Sequence, residues 1–312
     1  MLRVENLNKT FTTGVFKRRR HKAVDQINFT IAPREILGLV GESGCGKSTL
    51  ARLLLNLIPS SSGKLYFKGQ ELTGMRGREL RKIRGKMQII FQHPESSLNP
   101  RLKIYDSLIE PMRIQNLLPS KTVEREKVLD LLHQVGLAEE HLTRYPHELS
   151  GGQIQRVVLA RILAVQPEFI IADEPTSMLD VSVQAQVLHL LKDIQQKHAM
   201  SFLFISHDLA LVQWISERIA VMYRGQIVEI GPAQDLCNNP RHPYSVQLVE
   251  TFNWFQENKR EKSCSSETTN QAIHAWEGCA FAPCCPKLSP VCRQKPELRR
   301  IAEKHDVACW HA

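Results

Sequence analysis

The chain has no uninterrupted apolar run of about 18 residues or more, so it encodes no membrane-spanning helix. Its opening residues, Met1, Leu2, Arg3, Val4 and Glu5, lack the basic segment followed by an apolar one that marks a secretory leader. The expectation is a protein made and kept in the cytoplasm, still able to dock on a membrane protein. There is no internal repeat, and each motif described below occurs once. The excess of basic residues is not accompanied by a nucleic-acid recognition module, which argues against specific nucleic-acid binding.

What is present fits a globular chain. At 312 residues, with 42% hydrophobic content, it can build one large domain with an appendix, or two domains. The net charge is +9, and the densest basic run is Lys17, Arg18, Arg19, Arg20, His21 and Lys22. Such a run reads as a solvated loop, or as an attraction to anionic headgroups of a membrane surface. Of the 8 cysteines, the set from Cys264 to Cys309 is clustered, and in a reducing compartment clustered thiols read as metal ligands before disulfides.

The strongest motif is Gly41-Glu42-Ser43-Gly44-Cys45-Gly46-Lys47-Ser48, followed by Thr49. It matches G-x-x-x-x-G-K-[ST], in which a glycine-rich turn lets backbone amides converge on phosphate oxygens. Residues 35–40 before it read as a buried strand and residues 47–57 after it as a helix, the context this motif requires. Lys47 is suited to the β- and γ-phosphates and Ser48 to Mg²⁺. Cys45 occupies a variable position and receives no chemical role.

Further along, Phe169-Ile170-Ile171-Ala172-Asp173 is an apolar strand ending in a carboxylate. Asp173 is suited to hold Mg²⁺ through water, and Glu174 to orient and deprotonate an attacking water. Ser150-Gly151-Gly152-Gln153 opens a helical stretch and forms a second anion-binding nest. Two phosphate-binding elements in one chain suggest a site closed between two chains. Residues 2–7 and 27–31 read as a strand pair. Residues 94–164 read as mostly helical, with Val123, Leu129, Leu132 and Val135 on one face. Residues 182–198 read as an amphipathic helix with Val183, Val187, Leu190, Leu191 and Ile194 on its stripe. Residues 202–205 and 219–222 read as strands, giving an α/β core around a mainly parallel sheet.

With Gln92, Asp180 and His207 added in order, this set resembles the nucleotide-binding subunit of an ATP-binding cassette (ABC) transporter over about residues 1–250. The resemblance implies a P-loop NTPase cassette: a RecA-like core, an N-terminal antiparallel β subdomain and a helical signature subdomain. It implies that two cassettes pair head to tail, each ATP lying between the P-loop of one and the Leu149-Ser150-Gly151-Gly152-Gln153 signature of the other. It makes Gln92 a contact of Mg²⁺, the γ-phosphate and the transmembrane partner, Asp180 the aspartate of the D-loop, and His207 the sensor of the γ-phosphate. It places an adenine-stacking aromatic near the N-terminus, either Phe11 or Phe16. Met178 stands where the family often has Ala, and Ile154 where Arg is frequent.

The segment from Phe91 to Arg101, together with Arg144-Tyr145-Pro146-His147-Glu148 and His242-Pro243-Tyr244, is similar to the dipeptide/oligopeptide/nickel importer branch, and to the second of its two cassettes. This implies an ATPase coupled to solute import, peripheral on the cytoplasmic face of the inner membrane. The implied partners are an unlike second cassette, two permease subunits and an extracytoplasmic binding protein. Peptide leads as the cargo, with nickel or a metallophore open; a soluble ABC ATPase acting on nucleic acid or ribosomes is a remote alternative.

Composition shifts near Asn253. The reading is a nucleotide-binding domain over residues 1–253, a linker over 254–274 that is almost devoid of apolar residues from 258 to 270, and a cysteine-rich module over 275–312. The tail is similar to the C-terminal motif of the same branch, in which four cysteines, here Cys279, Cys285, Cys292 and Cys309, can hold a [4Fe–4S] cluster. Zinc and unmetallated thiols remain open, since the C-x5-C-x6-C-x16-C spacing matches neither common zinc sites nor ferredoxins. Cys284 sits where the family usually has Arg. A tail this poor in aliphatic residues is expected to need a metal staple to order. His305 reads either as a donor behind the metal ligands or as a plain surface histidine.

Overall fold

The computed structural model describes residues 1–13, 19–118, 120–257 and 278–312. Phe16, Lys17, Arg18, Cys264 and the segment 258–277 lie outside the described residues.

Two sheets carry the chain. β1 (Leu2–Thr13), β2 (Arg19–Ile31), β4 (Ser62–Phe67) and β5 (Gln70–Glu71) form an antiparallel sheet in the order β2-β1-β4-β5. The strand pair expected at residues 2–7 and 27–31 is part of the longer β1–β2 hairpin. Arg20, His21 and Lys22 stand exposed on β2, an edge strand of this sheet, so the described part of the basic run is solvated. Charge on an edge strand also discourages pairing with another chain.

The second sheet runs β11 (Arg299–Ala302), β12 (His305–Val307), β10 (Gln226–Pro232), β9 (Arg218–Tyr223), β3 (Ile36–Val40), β8 (Ser201–Ser206), β7 (Phe169–Asp173) and β6 (Met87–Ile90). From β9 to β6 every neighbouring pair is parallel; β10, β12 and β11 add antiparallel pairs at one edge. The parallel strands are apolar over most of their length because both faces are covered. On β7, Phe169 and Ile171 face α1 (Lys47–Leu54) and the antiparallel sheet, while Ile170 and Ala172 face the helices on the other side. All four are fully buried. Each large apolar side chain so placed contributes on the order of 2 kcal/mol.

The second face is covered by α3 (Ile104–Ile114), α4 (Lys121–Gln134), α5 (Gly151–Leu163), α6 (Val181–His198), α7 (Leu209–Ile215), α8 (Ala233–Asn238) and α9 (Pro243–Glu257). On α4 the buried stripe is Val128, Leu131 and Leu132, with Val135 just past the helix end. Val123 and Leu129, expected on that stripe, are only partly buried. Glu124 also turns inward, where Tyr105 and Arg113 satisfy its carboxylate. The helix after the P-loop stops at Leu54 rather than 57. The composition shift at Asn253 falls within α9.

The cysteine-rich tail docks on the cassette core. β12 pairs with β10, the Ala308 amide donates to the Val228 carbonyl at 2.8 Å, and Lys295 meets Asp25 of β2 at 2.7 Å. The Glu229 carboxylate, with no exposure, fastens the joint. It accepts from the amides of Arg241 and His242, each at 2.9 Å, and pairs with His305 Nε2 at 2.8 Å. His305 is therefore not a surface residue, and its Nε2 is committed to Glu229. Phe281, Ala282 and Val307 are buried as well, so packing on the cassette supplies order that was expected from a metal alone. Glu229→Ala leaves these amides and the imidazole without their acceptor. We expect a loss of about 3 to 5 kcal/mol in chemical denaturation, with the β12 amides the first to exchange with solvent; a loss below about 1 kcal/mol would contradict this joint.

Candidate active site

The P-loop is held from several sides. Gly41 passes so close to β9 that a Cβ there would meet the Met222 carbonyl oxygen at 2.1 Å. Gly46 has φ +111°, and a Cβ there would meet the Ala23 carbonyl oxygen at 2.2 Å. Only glycine fits either position. The Gly225 amide, in the turn between β9 and β10, donates to the Cys45 carbonyl at 2.8 Å. The Glu42 amide donates to the Tyr244 hydroxyl at 3.1 Å. Cys45 itself is buried, which pushes its thiol pKa up, in keeping with packing rather than chemistry.

Lys47 is 5% exposed, and its ammonium donates to the carbonyls of Gly41 at 2.6 Å and Glu42 at 2.9 Å. A buried ammonium needs such partners, and these two lie within the loop itself. The N-terminus of α1 has no side-chain cap, so its first amides and its dipole face the loop's mouth.

Beside the loop, β7 delivers its acidic pair. Asp173 is buried, its Oδ1 has no hydrogen-bond partner, and burial pushes its carboxyl pKa up, while the Ser48 hydroxyl pulls it down. An orphaned, buried carboxylate oxygen next to a hydroxyl fits a divalent cation held by Asp173 and Ser48, directly or through water. Glu174 follows in the left-handed backbone region, φ +49°, its amide donating to the Ile205 carbonyl at 2.9 Å. A non-glycine residue there stores about 1 to 2 kcal/mol. The turn aims its carboxylate at two residues expected to share the site: Gln92 Nε2 donates to Oε2 at 3.1 Å, and His207 Nδ1 lies 3.3 Å from Oε1. Gln92 follows β6 and His207 follows β8, so the C-terminal ends of adjacent parallel strands bring all three together.

The signature Ser150 caps α5. Its hydroxyl accepts from the Gln153 amide, and Gln153 Oε1 accepts from the Ser150 amide at 3.0 Å. His141 Nε2 lies 3.2 Å from Gln153 Nε2 and fixes that side chain. Gly151 and Gly152 pack near Leu179 and Val183. Asp180 caps α6, accepting from the Val183 amide at 2.9 Å. Thr49 is half-buried on α1, and Phe11 lies partly exposed on β1 with the Lys9 ammonium 5.1 Å from its ring centre.

In the tail, burial pushes the Cys279 thiol pKa up, and the neighbouring sulfurs of Cys292, Cys309 and Cys285 push it further. Burial does the same to Cys285, with Cys292 and Cys309 adding. These are the four sulfurs that the family resemblance singles out. Among the described residues no group of three or more His, Cys, Asp or Glu side chains is drawn into an arrangement that could hold a metal ion. His311, which the sequence reading passed over, joins this cluster. Its Nε2 lies 2.8 Å from Ser289 Oγ and 3.8 Å from Cys292 Sγ, and its amide donates to Cys309 Sγ.

Comparison with known proteins agrees with this layout. Residues 24–177 match the ABC transporter family model, and residues 228–292 match that of the oligopeptide/dipeptide transporter C-terminal region. The chain is 45% identical to the di/tripeptide transport ATP-binding protein DppF of Pseudomonas aeruginosa, over 96% of this chain and 93% of that one. It is 48% identical to the oligopeptide transport ATP-binding protein OppF of Bacillus subtilis, over 81% and 82% of the two chains. Among solved structures, the ATP-binding cassette MJ0796, determined as a dimer bound to ADP and Pi, superposes with a TM-score of 0.68 at 28% identity. That match covers 75% of this chain and 99% of the other. The chain belongs to the ABC transporter family, as an ATP-binding subunit of its oligopeptide/dipeptide branch. It is an ATPase coupled to transport.

Proposed function

We propose that this chain is the ATP-hydrolysing motor subunit of a multisubunit importer that energises peptide uptake across the cytoplasmic membrane. The observation that carries the catalytic part is the convergence of Gln92 and His207 on the Glu174 carboxylate, beside the P-loop. The names of the relatives, which concern dipeptide, tripeptide and oligopeptide transport, support the cargo. The subunit acts at the cytoplasmic face, peripheral to two permease subunits, with an extracytoplasmic binding protein delivering solute. It pairs head to tail with a second, unlike cassette, so that its signature residues Ser150, Gly151, Gly152 and Gln153 complete the partner's nucleotide site. Asp180 and the exposed Met178 and Val181 lie on the face that pairs.

In this reading the residues divide the work as follows. Phe11 stacks the adenine. The amides from Gly44 to Thr49 cradle the phosphates, and the Lys47 ammonium transfers from the loop carbonyls to the β- and γ-phosphates. Mg²⁺, when bound, neutralises charge on the phosphate oxygens, with Ser48, Gln92 and Asp173 as its protein-side contacts. Glu174 takes the proton of the attacking water. Gln92 and His207 hold the glutamate carboxylate in the resting site and turn to the γ-phosphate once it is present. ATP binding closes the cassette pair and hydrolysis reopens it, passing motion to the permeases near Gln92. Glu174→Gln keeps the size of the side chain and removes the base. We expect turnover by the assembled complex to fall by about 10²-fold or more with ATP binding retained, and near wild-type hydrolysis would remove Glu174 from this role.

We further propose that residues 1–253 are the nucleotide-binding domain, with a helical subdomain at about 94–164, and that Cys279, Cys285, Cys292 and Cys309 of the tail hold a [4Fe–4S] cluster. The nearness of Cys292 and Cys309 to both Cys279 and Cys285, felt in the raised pKa of these two thiols, supports this choice. A bound cluster would supply metal–thiolate bonds that tie the two ends of the tail together. Protein purified without oxygen should carry about four irons and four labile sulfides per chain, lost on Cys285→Ser. Stoichiometric zinc without sulfide would replace the cluster with zinc, and absence of both metals would remove the proposal.

A further inference from the structure

The segment His242-Pro243-Tyr244 entered the sequence reading only as a marker of the family branch. In the structure it sits between the cysteine module and the P-loop. Tyr244 is 2% exposed, and its hydroxyl is the acceptor for the Glu42 amide at 3.1 Å. Glu42 is the second residue of the P-loop, ahead of the amides that would face phosphate. This bond therefore anchors the base of the loop without competing for the ligand. The start of α9 is itself fixed. The Tyr244 amide donates to His242 Nδ1 at 3.0 Å, and the His242 amide donates to Glu229. Burial holds the His242 pKa down to about 4, so Nδ1 stays an acceptor at neutral pH. Burial likewise raises the Tyr244 pKa, keeping the phenol neutral.

Among the described residues, two aromatic rings neighbour that of Tyr244. Tyr223 of β9 lies 4.5 Å away between centroids. Phe281, at 5.6 Å, comes from the cysteine module. Phe281 is 3% exposed, also packs edge-on against Tyr223 at 5.4 Å, and lies 5.9 Å from the His242 ring. Its amide hydrogen-bonds Cys279, and the Cys279 amide in turn donates to the Cys292 carbonyl at 2.9 Å. An unbroken line of contacts thus runs from the thiol cluster through Phe281 and the Tyr244 ring to the P-loop backbone.

We propose that Tyr244 is a positioning residue for the P-loop, and that the cysteine module acts on ATP binding through Phe281, which fixes the Tyr244 ring with its hydroxyl under the Glu42 amide. The proposal rests on the P-loop being the ATP cradle. With the anchor in place the loop meets the phosphates already ordered. Without it, part of the binding free energy goes into ordering the loop, so affinity falls while the chemical groups stay intact.

The test is MgATP binding to the full chain by calorimetry, with backbone amide exchange at Glu42 as a second readout. Tyr244→Phe keeps the ring and removes the acceptor. It should weaken binding about fivefold, in line with the net worth of one hydrogen bond, and speed exchange at Glu42. Phe281→Ala should weaken binding by a similar factor in the wild-type background. In the Tyr244→Phe background it should cost nothing further, because the acceptor through which it acts is gone. If Phe281→Ala does not fold, Phe281→Leu takes its place with a smaller expected effect. Unchanged affinity and exchange in Tyr244→Phe overturn the role of Tyr244, and an equal loss from Phe281→Ala in both backgrounds overturns the route through it. Lys47→Ala is the reference. If it too leaves binding unchanged, the assignment of the P-loop fails as well; if it abolishes binding while Tyr244→Phe does nothing, only the positioning role fails.

Discussion

A phosphate-binding turn must present backbone amides at fixed spacing before the ligand arrives, and a glycine-rich loop has the least inclination of any segment to stay fixed. This chain meets that constraint by pinning the loop from neighbouring elements. Carbonyls of Ala23 and Met222 press on Gly46 and Gly41, Gly225 bonds Cys45, and Tyr244 bonds Glu42. The buried Lys47 ammonium closes the loop on itself through the Gly41 and Glu42 carbonyls. The antiparallel sheet, the β9–β10 turn and α9 all contribute to that cradle, which ties the arrangement of both sheets to the site.

The same sheet delivers the acidic pair and the two side chains that meet it. Parallel strands end at one edge, so Gln92, Asp173, Glu174 and His207, distant in sequence, arrive side by side. The left-handed turn at Glu174 then points the carboxylate across the gap instead of along the strand. Storing strain at this residue is acceptable because the strand before it is fully buried and cannot relax. The negative charge that β7 brings to the edge faces a buried ammonium and an uncapped helix start, a balance that a nucleotide with its cation would complete.

Much of this was legible in the chain. The P-loop, the strand ending in Asp173, and the helix from Val181 announce themselves through motif, apolar run and period, because each is governed by local physics. Four of the five parallel strands, β3, β7, β8 and β9, follow from their apolar runs; the four-residue β6, with Gln88 inside it, does not stand out in the sequence. What stayed hidden depends on tertiary contacts. β11 and β12 are short and carry charge, and the apolar run of β10 is broken by Glu229, a carboxylate with no exposure, opposite to what its residue type suggests. Its burial is intelligible only once His305, Arg241 and His242 are seen around it. On α4 the expected stripe holds at Leu132 and Val135, while the inward turn of Glu124 to Tyr105 and Arg113 is a tertiary contact that its charge conceals. By composition alone the tail reads as a separate module held by metal. Phe281 and Val307 show that it also continues the core of the cassette.

The central claim is that the loop is built in advance and that Lys47, parked on the loop's own carbonyls, is the part that moves when nucleotide binds. The most direct measurement is an experimental structure of the full chain carrying Glu174→Gln, determined with ATP and Mg²⁺. The account predicts a P-loop backbone unchanged from the one described, with the Lys47 ammonium transferred from Gly41 and Glu42 to the phosphates and the Tyr244 hydroxyl still under the Glu42 amide. A loop that refolds around the nucleotide, or a lysine that stays on its carbonyls with the phosphates bound elsewhere, would contradict it.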